Sequence, residues 1–106
     1  MDNTKTIFWE GKSEEKYEYW IYQIDTSFKE EGSNYIFAKE VEPKSWEPIY
    51  IGQTNNLNQR LENHEKERCA IEYGATHIHA HLNNNEQNRL SEEKDLIDNY
   101  HPDCND

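Results

Sequence analysis

Arg60 and His64 stand four residues apart in the polar segment TNNLNQRLENHEKER, residues 54–68, which holds only two aliphatic side chains, Leu57 and Leu61. The segment reads as a helix with Thr54 or Asn55 as N-cap. At about 100° per residue, the leucines face the core and Arg60 and His64 fall beside them on one stripe. A guanidinium can bind phosphate and an imidazole can move a proton near neutral pH, so the rim of that helix could do phosphate chemistry. The same residues also suit a simpler arrangement, with the Arg60 stem packed along the core edge and His64 on the surface.

Glu93 is the second candidate. In a helix over roughly residues 86–99, phased on Leu90, it falls inside the apolar arc of Leu90, Leu96, Ile97 and Tyr100, whereas Glu92 and Asp95 point elsewhere. A carboxylate placed there is costly unless it is paired or bound to a metal. Three arrangements would satisfy it: a divalent ion, an ion pair with Arg60 or Arg89, or a rotated helix that leaves Glu93 at the rim. His77, His79 and His81 alternate and would share one strand face. With no Cys or carboxylate at ligand spacing, an exposed polar face is expected there rather than a transition-metal site.

The elements that must position these groups follow from pattern. Residues 17–25 and 34–42 are rich in aromatic and β-branched types and read as strands, and residues 49–53 as a third. Pro43 and Pro48 bracket a predicted loop around Trp46. Residues 75–82 alternate as a further short strand, and Asn83 to Asn85 break it and cap the last helix. The order β-β-β-α-β-α predicts an α+β domain with a small mixed sheet of three to four strands flanked by helices.

A chain of 106 residues is one domain's worth. Hydrophobic residues are only 33%, but the 12% that are aromatic supply enough burial for a core. The first dozen residues and the last few are expected to be loose. Net charge is −11, spread along the whole chain; tight, unassisted grip on nucleic acid normally needs a basic patch. No apolar segment approaches a membrane span or a signal peptide. Cys69 and Cys104 lack metal spacing, so a cytoplasmic, reducing setting without a disulfide is the expectation.

Residues 50–64, YIGQTNNLNQRLENH, closely resemble the second motif of the GIY-YIG nucleases, Tyr-Ile-Gly-x-Thr-x-x-Leu-x-x-Arg-Leu-x-x-His. Residues 93–105, EKDLIDNYHPDCN, resemble that family's closing pattern, Glu-x-x-Leu-Ile followed by Pro-x-x-Asn. Ser33-Asn34-Tyr35 stands where the first motif has Gly-Ile-Tyr, keeping its tyrosine. The resemblance covers residues 33–106 and leaves 1–32 as an N-terminal extension with an added strand or a partner-binding role.

The resemblance implies a divalent-metal-dependent DNA endonuclease with catalytic residues Tyr35, Tyr50, Arg60, His64, Glu93 and Asn105. Glu93 would be the sole protein ligand of one Mg²⁺ or Mn²⁺ ion. Arg60 would stabilise the scissile phosphate, and Tyr50, helped by His64, would orient or deprotonate the attacking water. Tyr35 would hold water or phosphate nearby, and Asn105 would hydrogen-bond beside the site. DNA is then the partner, bound weakly by so acidic a chain, with targeting supplied by a protein partner or homo-oligomer and no membrane involved. The competing expectation is a fold-retaining binding or regulatory module of little or no activity.

Overall fold

Alternating aromatic and β-branched residues build the sheet seen in the computed structural model, which describes residues 6–105. Five strands form it: β1 (Thr6–Glu10), β2 (Lys16–Gln23), β3 (Ser33–Glu42), β4 (Ser45–Thr54) and β5 (His77–Leu82). Their spatial order is β1-β2-β5-β3-β4. Every pairing is antiparallel. The expected mixed sheet of three to four strands is therefore corrected to five antiparallel ones. Of the first dozen residues, expected to be loose, 1–5 lie outside the described residues, and Thr6–Glu10 is a strand because Trp9 is buried against Tyr100 and His79.

The loop predicted around Trp46 is also corrected. β3 and β4 join through a tight turn at Pro43–Lys44, with Lys44 at φ 66°, and Trp46 already belongs to β4. Pro48 is tolerated where the register slips between the Phe37–Tyr50 and Ala38–Pro48 pairs, a bulge that demands no ladder donor from proline. The bulge turns Ile49 to the same core as Tyr35 and Phe37.

Helices cover both faces. α1 (Leu57–Glu62) and α2 (Glu67–Glu72) bring Leu57 and Ala70 onto the face of Tyr35, Phe37, Ile78 and Ala80. α3 (Glu86–Tyr100) brings Leu96, Ile97 and Tyr100 onto the opposite face, against Trp9, Tyr19, Ile36 and Ile51. Asn85 caps α3 by accepting from the Asn88 N–H, and His101 closes it in the left-handed conformation just before Pro102. A 3₁₀ turn, Asp103–Asn105, ends the described chain. Among the described residues, no helix is long and apolar enough to cross a membrane.

The single helix expected over 54–68 is two short ones. Asn56, not Thr54 or Asn55, is the N-cap of α1, accepting from Gln59 N–H. The break falls at Asn63–Lys66 because the His64 ring leaves the helical stripe to pack against Tyr35, Phe37 and Tyr50.

Cys69 and Cys104, expected as free thiols, form a disulfide between α2 and the terminal turn, with Cα atoms 6.0 Å apart. Their separation of 35 residues carries no distance information; packing of α2 and the turn on the same sheet face sets it. By the entropy of the closed loop the link contributes roughly 3–4 kcal/mol. Reduction with dithiothreitol should lower the urea midpoint accordingly; an unchanged midpoint would show that the link adds no stability.

Candidate functional site

Gly52 is the floor of the site. It pairs with Tyr35 across β3–β4, and a Cβ there would lie 2.7 Å from the Tyr35 ring end and 2.9 Å from Tyr50 Cε2. Only glycine lets the two phenols lie over this part of the strand pair. Their ring centroids are 6.2 Å apart. Tyr35 is buried and Tyr50 half-buried.

His64 closes the cluster from the α1–α2 connection. Its Nε2 is 2.7 Å from the Tyr35 hydroxyl, and its Nδ1 accepts the Lys66 backbone N–H at 2.9 Å. An Nδ1 that accepts leaves the proton of a neutral imidazole on Nε2. Burial, with Arg60 adding to it, lowers the His64 pKa to about 4, so the ring is neutral at pH 7 and donates from Nε2 to the Tyr35 oxygen. Tyr35 then keeps its own proton to donate onward. Burial first, then Tyr50, raises its pKa, with Arg60 acting in the opposite direction.

Arg60 reaches the same hydroxyl from α1. Its pKa is raised chiefly by Glu65, whose Oε1 accepts from Nη1 at 2.5 Å. The guanidinium also borders a cleft of ≈ 290 Å³ lined by Thr54, Asn56, Gln59 and Asn63. Every group there is a hydroxyl, an amide or the guanidinium, a lining suited to an anion that arrives with water.

Asn105 stands behind β4 rather than among the phenols. Its Oδ1 accepts from Ile51 N at 2.8 Å and its Nδ2 donates to Ile51 O at 2.7 Å. β4 is an edge strand, and one amide thus imitates the missing neighbour for the residue between Tyr50 and Gly52.

Among the described residues no contact joins Glu93 to that cluster; it lies on α3, which packs from the other sheet face chiefly on β4, the strand that carries Tyr50 and Gly52. The helix is rotated relative to a phase centred on Leu90. Leu90 is exposed, and the sheet-facing residues are Arg89, Glu92 and Leu96. Glu92, expected to point away, is 2% exposed and accepts from Tyr19 Oη at 2.5 Å, with His81 Nδ1 at 2.9 Å. Glu93 is left half-buried at the rim, its pKa raised by burial. Neither arginine proposed as its partner is engaged with it: Arg60 holds Glu65, and Arg89 donates to Gln53 Oε1 and Asn83 O. Among the described residues no hydrogen bond or ion pair involves its carboxyl, and no group of three or more His, Cys, Asp or Glu could cage a metal. Such a carboxyl fits a hard divalent ion that keeps most of its shell as water or phosphate oxygen.

The histidine row is not an exposed polar face. His79 is fully buried, accepts from Trp9 Nε1 at 2.9 Å and stands edge to face against Trp46 at 4.6 Å. Burial takes its pKa down to about 3. His81 lies half-exposed beside Glu92, whose hydrogen bond raises its pKa. The signal for Glu92 and His79 in sequence was only a polar residue within a strand or helix pattern, which also describes a solvated face.

Solved structures share this architecture. The GIY-YIG N-terminal endonuclease domain of UvrC from Thermotoga maritima, bound to its catalytic divalent cation magnesium, superposes with a TM-score of 0.59 at 29% identity, over 74% of this chain and 86% of that one. An asparagine-to-alanine point mutant of that domain, bound to its catalytic divalent cation, gives 0.58 at 28% identity, over 72% and 83%. No protein-family model and no curated protein matches the chain. The fold is a GIY-YIG nuclease-like fold.

His64 and His79 give stability a pH signature. Both have folded pKa values below the ordinary 6.5, so the unfolded chain binds more protons below that point. Their contribution is complete above pH 6.5 and is lost as pH falls toward 4 and 3. His81, with a raised pKa, acts oppositely: its contribution is complete below 6.5 and fades as pH rises through its folded value. Replacing His79 by Gln keeps an acceptor for Trp9 and removes one titrating group. Between pH 4 and 6.5 the slope of unfolding free energy against pH should fall by up to ~1.4 kcal/mol per pH unit. Urea titrations across that range read it, and an unaltered slope would mean that His79 is protonated in the folded state.

Proposed function

We propose that this GIY-YIG-like domain is a divalent-metal-dependent endonuclease that hydrolyses a DNA phosphodiester bond, with Tyr35, Tyr50, Arg60, His64, Glu93 and Asn105 as its site residues. The observation that supports it most is the His64–Tyr35–Tyr50 cluster over Gly52, with Arg60 at its edge beside a polar cleft. The match to a solved endonuclease domain with a catalytic divalent cation supports it independently.

Each side chain has a separable task. Arg60 binds a non-bridging oxygen of the scissile phosphate and stabilises the charge that grows there in the transition state. Tyr50 orients the attacking water through its Oη. His64 is a positioning group: with both ring nitrogens engaged, it turns the Tyr35 hydroxyl so that Tyr35 donates toward Tyr50, leaving the Tyr50 oxygen a lone pair for the water proton. The water oxygen forms the new bond to phosphorus as the bond to the 3′-oxygen breaks, and the proton lost by the water is balanced by one gained at that oxygen. Asn105 holds the Ile51 peptide, and with it the Tyr50–Gly52 backbone, in place. Glu93 would hold a Mg²⁺ or Mn²⁺ ion, which when bound supplies charge stabilisation to the phosphate and the leaving oxygen.

Glu93→Gln keeps size and polarity but removes the anionic ligand. Plasmid nicking in Mg²⁺ or Mn²⁺ should fall at least 100-fold while the circular dichroism spectrum is unchanged; parental cleavage by this variant would sink the metal role. A second expectation concerns Glu65, an exposed side chain that occupies Arg60 in the absence of substrate. Surface ion pairs are readily exchanged, so Glu65→Gln should lower KM for DNA a few-fold and leave kcat near the parental value. A raised KM would mean that Glu65 helps to aim Arg60.

A further inference from the structure

We infer that the β1–β2 hairpin is a positioning element for Glu93: it fixes the rotation of α3 through Glu92, Asp95 and Asn99. This inference rests on the proposed metal role of Glu93.

Positions 92, 95 and 99 fall on one stripe of the helix, and each is bound from the hairpin. Tyr19 Oη donates to Glu92 Oε2 at 2.5 Å. Asp95 receives Ser13 N at 2.9 Å, Ser13 Oγ at 2.7 Å and Tyr17 Oη at 2.7 Å. The Lys12 amide donates to the Asp95 carbonyl at 3.1 Å, and Asn99 Nδ2 donates to Glu10 O at 2.8 Å. One residue further, the Tyr100 ring meets Trp9 edge to face at 5.4 Å. The wrap is close enough that a Cβ on Gly11 would fall 2.0 Å from Asp95 Oδ2.

On the sheet side, Arg89 is bonded to Gln53 of β4 and Glu92 to His81 of β5. The polar bonds are directional, whereas the apolar contacts of Leu96 and Ile97 tolerate small rotations. Together they hold the azimuth of α3, and Glu93 is the next residue round the helix from Glu92. With side chains reaching about 5–6 Å from a helix axis, a rotation of ~10° moves a carboxylate by ~1 Å, and a misplacement of that size costs on the order of 100-fold in a catalytic step. Tyr17 and Tyr19 remain donors throughout the physiological range: burial first, then the adjoining carboxyl groups, raises the pKa of each.

The test compares the intact chain with a Ser13→Ala/Tyr17→Phe double variant, a Tyr19→Phe variant and a Trp20→Ala control. Trp20 lies on the same hairpin, is half-exposed and, among the described residues, has no hydrogen bond to α3. Mn²⁺ affinity is measured directly by calorimetry, alongside the Mg²⁺ concentration for half-maximal nicking, with circular dichroism confirming the fold. The double variant and Tyr19→Phe should each weaken Mn²⁺ binding about ten-fold and raise the Mg²⁺ requirement in parallel, with Trp20→Ala at parental values. Unchanged Mn²⁺ affinity in both, or an equal loss in the control, overturns the inference. Glu93→Gln in the same titration separates the two levels. If it binds Mn²⁺ and nicks as the parent does, the metal reading itself fails. If it loses both while the hairpin variants lose neither, only the positioning role fails.

Discussion

Tyr35 and Tyr50 can lie over one part of the β3–β4 pair only because residue 52 has no side chain, and much of the surrounding architecture answers to that close approach. Once Tyr35 occupies the space, its buried hydroxyl needs a partner, since an unpaired one would cost several kcal/mol. His64 supplies it, and to do so it leaves the helical stripe, which divides one amphipathic segment into α1 and α2. The Lys66 amide then caps His64 Nδ1 and selects the tautomer. A missing Cβ in a strand thus leads, by steric and hydrogen-bonding steps, to a broken helix and an oriented phenol.

The other sheet face is organised by polar groups instead. Arg89, Glu92, Asn34 and His79 are all buried there. Groups of this kind add little net stability compared with apolar replacements, but Arg89 and Glu92, both bonded here, penalise arrangements that leave them unpaired; Asn34 Oδ1 and His79 Nε2 are buried without a hydrogen-bond partner among the described residues. Arg89 and Glu92 are bonded on either side of α3, one toward β4 and the other toward β2 and β5. A helix with Leu96 as its one fully buried aliphatic residue has weak apolar reasons to prefer one rotation, so its bonded groups decide the phase.

That balance also explains which parts of the molecule were legible in the sequence. β2, β3 and β5 were readable because aromatic and β-branched runs dominate them, and α3 because Asn85 and Pro102 bracket it. Tyr35 and Tyr50 were singled out by motif resemblance, not by physical pattern, since the Gly52 approach depends on a pairing register that sequence does not print. Helix phasing failed for Glu92 and Glu93 because Leu90 was counted as a core residue, whereas the sheet selects Arg89 and Glu92. β1 was missed because its apolar run, Ile7-Phe8-Trp9, is only three residues long and does not alternate. Asn105 also came from the resemblance, and the edge of β4 that it bonds exists only after the strand order is known.

A chain at net −11 that would act on a polyanion is less contradictory than it first looks. At physiological salt, charges farther apart than about 8 Å are largely screened, so most of the acidic side chains slow encounter rather than oppose chemistry at the site. Locally, Arg60 faces a cleft of hydroxyl and amide groups, and its one acidic partner, Glu65, is exposed and exchangeable. A phosphate offers the guanidinium two oxygens in the same fork geometry that a carboxylate does, so substrate can replace Glu65 without leaving Arg60 unpaired at any stage. The buried phenol below it stays protonated because burial, more than any neighbour, holds its pKa up. The site therefore keeps its polarity by desolvation and close packing, and under the proposed endonuclease function the charge of the whole chain would govern how often DNA arrives.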